Sequence, residues 1–282
     1  MRTPPWLNKD YLVLVFCSMA IALSFAYLFS ISGEAHFTSN SFFGGLREAG
    51  MAIVLALLGV SGTTLLYTLL IKNREFEARL ILGAIFGPTV GVLVVIVSEA
   101  ILLGVAKQTN ATAVALIIVS SLYISIFSVI FIVTGSISRR TRNIVYVIYG
   151  SVIAGFIGIG LSSITLVVVL VIVAAYDLLI TRSQLMASII GDPLKESAMR
   201  RFAYKSDALE TGIGDFMFNS SLPAHVYAHF TADIFVLTIA LIVVGYLINL
   251  RIAFGKRYVG GISAPTFLGV IPTLAILISS VA

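Results

Sequence analysis

Two aspartates, Asp177 and Asp215, stand inside apolar runs, where a carboxylate is expensive. Asp177 follows Val168-Val169-Leu170-Val171-Ile172-Val173-Ala174-Ala175-Tyr176 and precedes Leu178-Leu179-Ile180. Asp215 lies in Thr211-Gly212-Ile213-Gly214-Asp215-Phe216-Met217-Phe218. An acid held in hydrocarbon costs about 2.5 to 3.5 kcal/mol on insertion scales, so two of them at equal depth suggest a shared purpose. The depths do match: Asp177 is five residues before the loop charge Arg182, and Asp215 five after the loop charge Glu210. At about 1.5 Å of rise per residue, each carboxylate lies roughly 7 to 8 Å below the same loop. Brought together, the two cannot both be ionised, so one keeps its proton. Such a pair can hold a water, deprotonate it for attack on a carbonyl carbon, and give a proton to the leaving nitrogen.

The flanking residues fit that chemistry. Gly212 and Gly214 remove two side chains just before Asp215 and let a substrate backbone approach the carboxylate. Tyr176 precedes Asp177 and can pack or hydrogen-bond near it, although tyrosines also populate membrane interfaces.

These residues must be positioned by membrane helices. The chain has 282 residues, of which 59% are hydrophobic and only 11% charged, with a mean hydropathy of +1.06. That composition implies an all-α polytopic membrane protein, built as one helical unit over residues 1–282. Apolar windows fall at Tyr11–Ile31, Gly50–Ile71, Leu80–Leu103, Ala111–Val133, Ile144–Leu161, Ser163–Ile180, Gly212–Val226, Ala228–Asn249 and Ile262–Val281. Nine transmembrane helices are therefore expected: spans one to six over residues 1–180, a cytoplasmic loop at 181–211, and spans seven to nine over 212–282. The first window, at about 21 residues, is too long for a signal-peptide core and reads as a retained helix.

The seventh window is the weakest, because it carries Asp215, Asn219, Ser220, Ser221, Pro223 and His225. Charge parity supports it. With nine crossings and a cytoplasmic amino terminus, only Arg47 and Lys107 of the 18 Lys and Arg residues fall outside. Deleting the seventh crossing would move Arg251, Lys256 and Arg257 out as well. The carboxyl terminus is then extracytoplasmic, and the polar seventh segment becomes a functional candidate.

Other features carry less. The net charge of +5 is spread over alternate loops and reads as a topology signal, so no nucleic-acid partner is implied. The single cysteine, Cys17, excludes an internal disulfide. Gly150, Ala154 and Gly158 give span five a close-packing face. His225, His229 and Asp233 recur every four residues with Glu99 near the same side. Metal ligation is the lesser reading and an interfacial polar patch the favoured one, so no metal and no cofactor is assigned. Asn110-Ala111-Thr112 is a glycosylation sequon in an expected outer loop.

The combination of Tyr176-Asp177 with Gly212-Ile213-Gly214-Asp215 resembles the presenilin and signal peptide peptidase family of intramembrane aspartyl proteases, in a short, prokaryotic form. The resemblance implies nine spans, a Tyr-Asp pair near the inner end of span six, a Gly-x-Gly-Asp motif opening span seven, and a Pro-Ala-Leu motif opening span nine. In the last place this chain has Pro265-Thr266-Phe267 and keeps only the proline. By this resemblance Asp177 and Asp215 are the catalytic dyad. Tyr176, Gly212, Gly214, Pro265, Thr266 and Phe267 are then substrate-positioning, with Pro265 expected to break the helix beside the acids. The implied partners are transmembrane helices of substrate proteins and the lipid bilayer, and the implied location is the cell membrane. The loop Thr181–Glu210 is expected to act as an inner-side gate. Prepilin peptidases also carry Gly-x-Gly-Asp, but with a different span count. The rival from another class is a cation- or proton-coupled transporter using the same carboxylates as its carrier site. It leaves the glycines and Tyr176 unexplained. A noncatalytic helical scaffold leaves the acids themselves unexplained.

Overall fold

A computed structural model describes residues 9–31, 46–72, 74–107, 110–134, 138–181, 203–205, 210–253 and 262–279. Within these, every apolar window of the sequence coincides with an α-helix. They are α1 (Lys9–Ile31), α2 (Leu46–Ile71), α3 (Glu75–Ile101), α4 (Ala111–Thr134), α5 (Arg139–Gly160), α6 (Ser163–Thr181), α7 (Ile213–His229), α8 (Ala232–Ala253) and α9 (Ser263–Ser279). Seven of these are long and apolar enough to cross a membrane, which makes the chain a multi-pass membrane protein. The exceptions are α7 and α9, each of 17 residues, of which α9 is apolar and α7 is not. One departure from an all-α reading is a two-stranded antiparallel hairpin. Its strands β1 (Ala203–Lys205) and β2 (Glu210–Gly212) pair Ala203 with Gly212. Three residues per strand are too few to leave a periodic signal in the sequence.

Helix ends follow local chemistry. Ser138 caps α5 by accepting the Thr141 N–H at 3.2 Å, and Ser162 accepts the Thr165 N–H at 3.4 Å at the start of α6. Leu161, in extended backbone, makes the sharp turn between them. The far end of α3 widens over Leu102–Ala106 and stops at Lys107, whose φ of 49° is left-handed. Hydroxyls along the apolar helices bond back to their own chain. Thr63, Thr64 and Thr68 on α2 each donate to the carbonyl four residues earlier.

The polarity of α7 is explained by its place. It packs against α1, α5, α8 and α9, and every residue from Asn219 to Val226 is buried. Its polar groups are largely matched by protein partners: Ser220 shares a 2.9 Å hydrogen bond with Ser18 of α1, and Ser221 donates to Phe218 O. A central helix does not need an apolar lipid-facing side, so mean hydropathy understates it. The opposite case is α4, which buries only Ser121 and exposes apolar side chains on most of its surface, as a lipid-facing helix does. The main core joins α1, α6, α7, α8 and α9 through Val15, Met19, Leu166, Leu170, Leu222, Ile242, Tyr246 and Val270.

Close backbone approach is set by small residues. A Cβ on Gly158 would meet Ser221 O of α7, and one on Gly155 would lie 2.7 Å from the Phe25 ring and 2.9 Å from Ala22 O of α1. The small face of α5 thus sets two helix contacts at once. Gly245 of α8 is likewise filled by the backbone of Pro265 on α9.

Candidate functional site

Asp177 lies in the last turn but one of α6, and Asp215 is the third residue of α7. The end of α6 and the start of α7 put both carboxyls at one end of the bundle, close enough to interact electrostatically. Each is fixed at a helix amino terminus. Asp177 Oδ2 accepts the Ile262 N–H at 3.2 Å and takes a further bond from the Ser263 backbone, so it binds the opening of α9. Asp215 Oδ2 accepts the Gly212 N–H at 3.1 Å, reaching back to the residue that caps its own helix. First-turn amides have no partner within their helix, so these are strong, oriented donors. Both carboxyls are partly buried, and neither forms an ion pair among the described residues.

The glycines take the positions their lack of side chains allows. Gly212 ends β2 and caps α7 in extended backbone. Gly214 is open: the nearest groups to a Cβ there are Ile262 Cδ1 at 3.7 Å and the Phe218 ring at 3.8 Å. The Tyr176 hydroxyl reaches α2, where it shares a 2.8 Å hydrogen bond with Thr64 Oγ1.

The residues opening α9 behave differently from the expectation. Pro265 does not break the helix, because it sits in the first turn of α9, where a missing N–H costs nothing. It is buried against Gly245, and the amides that reach Asp177 come from Ile262 and Ser263 just before it. Thr266 points into the bundle, where Oγ1 donates to Asn219 Oδ1 at 3.1 Å. Phe267 is 39% exposed on the bundle surface. The segment therefore meets the acids through its preceding backbone, while its side chains tie α9 to α7 and α8.

Tyr67 is the residue that the sequence reading missed. It lies on α2 one turn beyond Thr64, on the side that meets α6, and its phenol is within electrostatic range of Asp177, Tyr176 and Asp215. The available signal was the polar face Thr64, Tyr67 and Thr68 in an otherwise apolar span.

No group of three or more His, Cys, Asp or Glu side chains converges among the described residues. The four-residue spacing is interrupted because α7 ends at His229 and Phe230 turns the chain, leaving Asp233 exposed on α8. Pro223 lies within α7 and does not end it. His225 is 1% exposed and satisfied: Nδ1 donates to Gly158 O at 2.6 Å, which leaves Nε2 to accept from Ser163 Oγ at 2.9 Å. The ring of His229 packs 4.6 Å away. Asn110 Oδ1 accepts the Thr112 N–H at 2.6 Å at the start of α4. Most of the loop 181–211, expected to gate the site, lies outside the described residues.

No known family model matches the chain, and no curated protein matches it in sequence.

Proposed function

We propose that the protein is an intramembrane aspartyl endopeptidase that cuts peptide bonds in or beside the transmembrane helices of other membrane proteins, as in the presenilin and signal peptide peptidase family it resembles. One observation carries the reading: two carboxyls from different helices lie within electrostatic range of each other at one end of an apolar bundle, each held by a helix-opening amide. In this reading all nine helices cross the cell membrane, with the amino terminus cytoplasmic, the carboxyl terminus outside and the acids near the inner face.

The chemistry follows from the pair. One carboxylate takes a proton from a water as its oxygen attacks the scissile carbonyl carbon. The other, protonated, donates to the carbonyl oxygen; the tetrahedral intermediate then collapses as the first carboxyl gives its new proton to the leaving nitrogen and the second takes one back from the diol hydroxyl, which restores the pair. A substrate helix hides its amides in its own hydrogen bonds and must unwind before water reaches a carbonyl. Strand β2 runs directly into Gly212 and Asp215 and offers an edge for an extended substrate to pair with. Two residues position the site in this account: Tyr176, by pinning α6 to α2, and Gly214, by leaving space.

The test is reconstitution into sealed vesicles with a fluorogenic transmembrane peptide. Cleavage that disappears in both Asp177→Asn and Asp215→Asn, with folding intact, is the expected result. Normal turnover in either variant would overturn the dyad, and proton or cation flux without cleavage would favour a transporter.

A further inference from the structure

On α3, Gly83, Gly87 and Gly91 form a stripe that lets α4 approach closely. A Cβ on Gly83 would stand 3.1 Å from Val133 Cγ2, one on Gly91 3.1 Å from Ser125 Cβ, and one on Gly87 would meet Val129. This side of α3 is closed. The side towards α5 is not, and a cavity of about 900 Å³ lies among α3, α4 and α5. Its walls are almost wholly apolar, with Val90, Leu93, Val94 and Phe127 typical.

The cavity has a polarity along its length. Lining residues on α3 run from Arg79 to Ser98, about 28 Å at 1.5 Å per residue. Those on α4 (Ile124 to Ile132) come from the half nearer Arg79, and those on α5 (Val145 to Val152) from that half and just past the middle of the helix. Arg79 lines that end of the cavity, and its Nη1 donates to Val133 O at 3.5 Å. Further in, the rings of Phe86 and Tyr149 stack at 4.8 Å and bridge α3 to α5.

We infer that this cavity binds a diacyl phospholipid with an anionic headgroup, its acyl chains between α3 and α5 and its phosphate at Arg79. An apolar, membrane-depth space with one guanidinium at its rim matches the anatomy of such a lipid. The planar fork of arginine suits a phosphate, and the charge of Arg79 favours an anionic headgroup over a zwitterionic one. A peptide helix is a poorer fit: it needs a channel about 10 Å across and brings no anion to Arg79. The site is separate from Asp177 and Asp215 and does not depend on the protease reading.

The experiment places the full chain in nanodiscs of equal parts phosphatidylglycerol and phosphatidylcholine, one of the two carrying a photoactivatable acyl chain, and maps crosslinked peptides by mass spectrometry. Labelling by phosphatidylglycerol is expected to concentrate at Val90, Phe127 and Tyr149, exceeding that by phosphatidylcholine about fivefold, the share of one arginine near an anionic lipid. Arg79→Gln should bring the two lipids to near parity while apolar labelling persists, and Val94→Trp should remove labelling from the cavity. Thermal unfolding followed by circular dichroism checks that both variants fold; should Val94→Trp fail to fold, Arg79→Gln alone decides. Equal labelling by the two lipids, or labelling spread evenly over outward positions such as Leu116 and Val236, would overturn the proposal. So would a transmembrane peptide with a photoreactive residue that crosslinks to the cavity and excludes the lipid.

Discussion

Asp177 accepts the backbone N–H of Ile262 at 3.2 Å, across 85 residues of sequence, and so joins the end of α6 to the start of α9. The carboxyl therefore has a structural task beside any chemical one, and substitution can separate the two. Asn keeps an oxygen that can accept the Ile262 amide, whereas Ala leaves that amide without its acceptor. Charge-assisted hydrogen bonds contribute about 1.5 to 3 kcal/mol. Asp177→Ala is thus expected to lower thermal stability in detergent clearly, and Asp177→Asn much less, while both abolish cleavage. Equal melting temperatures for the two variants would show that the α6 to α9 contact contributes nothing to the fold.

Tyr67 offers a test on a third helix. Its phenol lies near both acids and Tyr176, so its hydroxyl can orient water or substrate at the pair. Tyr67→Phe removes one oxygen and keeps the ring. The expected effect is about a tenfold fall in kcat, the equivalent of roughly 1.4 kcal/mol in the transition state, with little change in melting temperature. Tyr176→Phe should do the reverse. It loses the 2.8 Å bond to Thr64, which costs about 1 kcal/mol of stability, and leaves a smaller mark on rate. Unchanged kcat in Tyr67→Phe would exclude the hydroxyl from the site.

Backbone packing behind the site gives a contrast between two glycines. An added methyl at Gly245 would run into Pro265 Cα and stand 2.8 Å from the Ala264 carbonyl carbon, neither of which can swing aside. Overpacking of this kind costs about 1 to 3 kcal/mol. It also pushes the opening of α9, and with it the Ile262 amide, away from Asp177. Gly245→Ala is therefore expected to lose both stability and cleavage. Gly59 has nothing within 4 Å of its added Cβ, so Gly59→Ala should gain about 0.5 to 1 kcal/mol from helix propensity. Thermal melts and peptide cleavage on the same preparations decide it, and two variants that behaved alike would count against the α8 to α9 contact as the cause.

Much of this arrangement could be read from residue types, and what could not has identifiable causes. Length and apolarity were enough to find every described helix except α7. Charge parity retained α7, which fails on hydropathy because its polar residues face protein. The depth argument placed Asp177 and Asp215 at one end because both are counted from the same loop. The partners of each carboxyl were not legible, since a backbone amide such as that of Ile262 leaves no trace in side-chain pattern. Pro265 was misread for a related reason. Whether a proline breaks a helix or opens one depends on where the first turn falls, and α9 starts only two residues before it. The His225 and His229 spacing suggested a common face continuing to Asp233, which the chain turn at Phe230 removes. Tyr67 was hidden because one tyrosine in an apolar span does not say which helix it meets.

The bond between Thr266 and Asn219 supports a last prediction, through the difference between losing one partner and losing both. Thr266 Oγ1 donates to Asn219 Oδ1 at 3.1 Å, both residues are 2% exposed, and Asn219 Nδ2 has no hydrogen-bond partner among the described residues. Thr266→Val would strip the amide of its oxygen partner too, leaving a wholly unsatisfied buried carboxamide at a cost of about 1 to 3 kcal/mol. Adding Asn219→Leu removes the stranded group and replaces it with a side chain of similar size. The double variant should therefore recover most of the stability lost in Thr266→Val. Because Asn219 lies one turn from Asp215 on α7, restored packing should also restore part of the cleavage rate. A double-variant cycle of melting temperatures, read with peptide cleavage, measures both. Additive losses with no recovery would mean that the two side chains act independently and that the opening of α9 is held to α7 by apolar contacts alone.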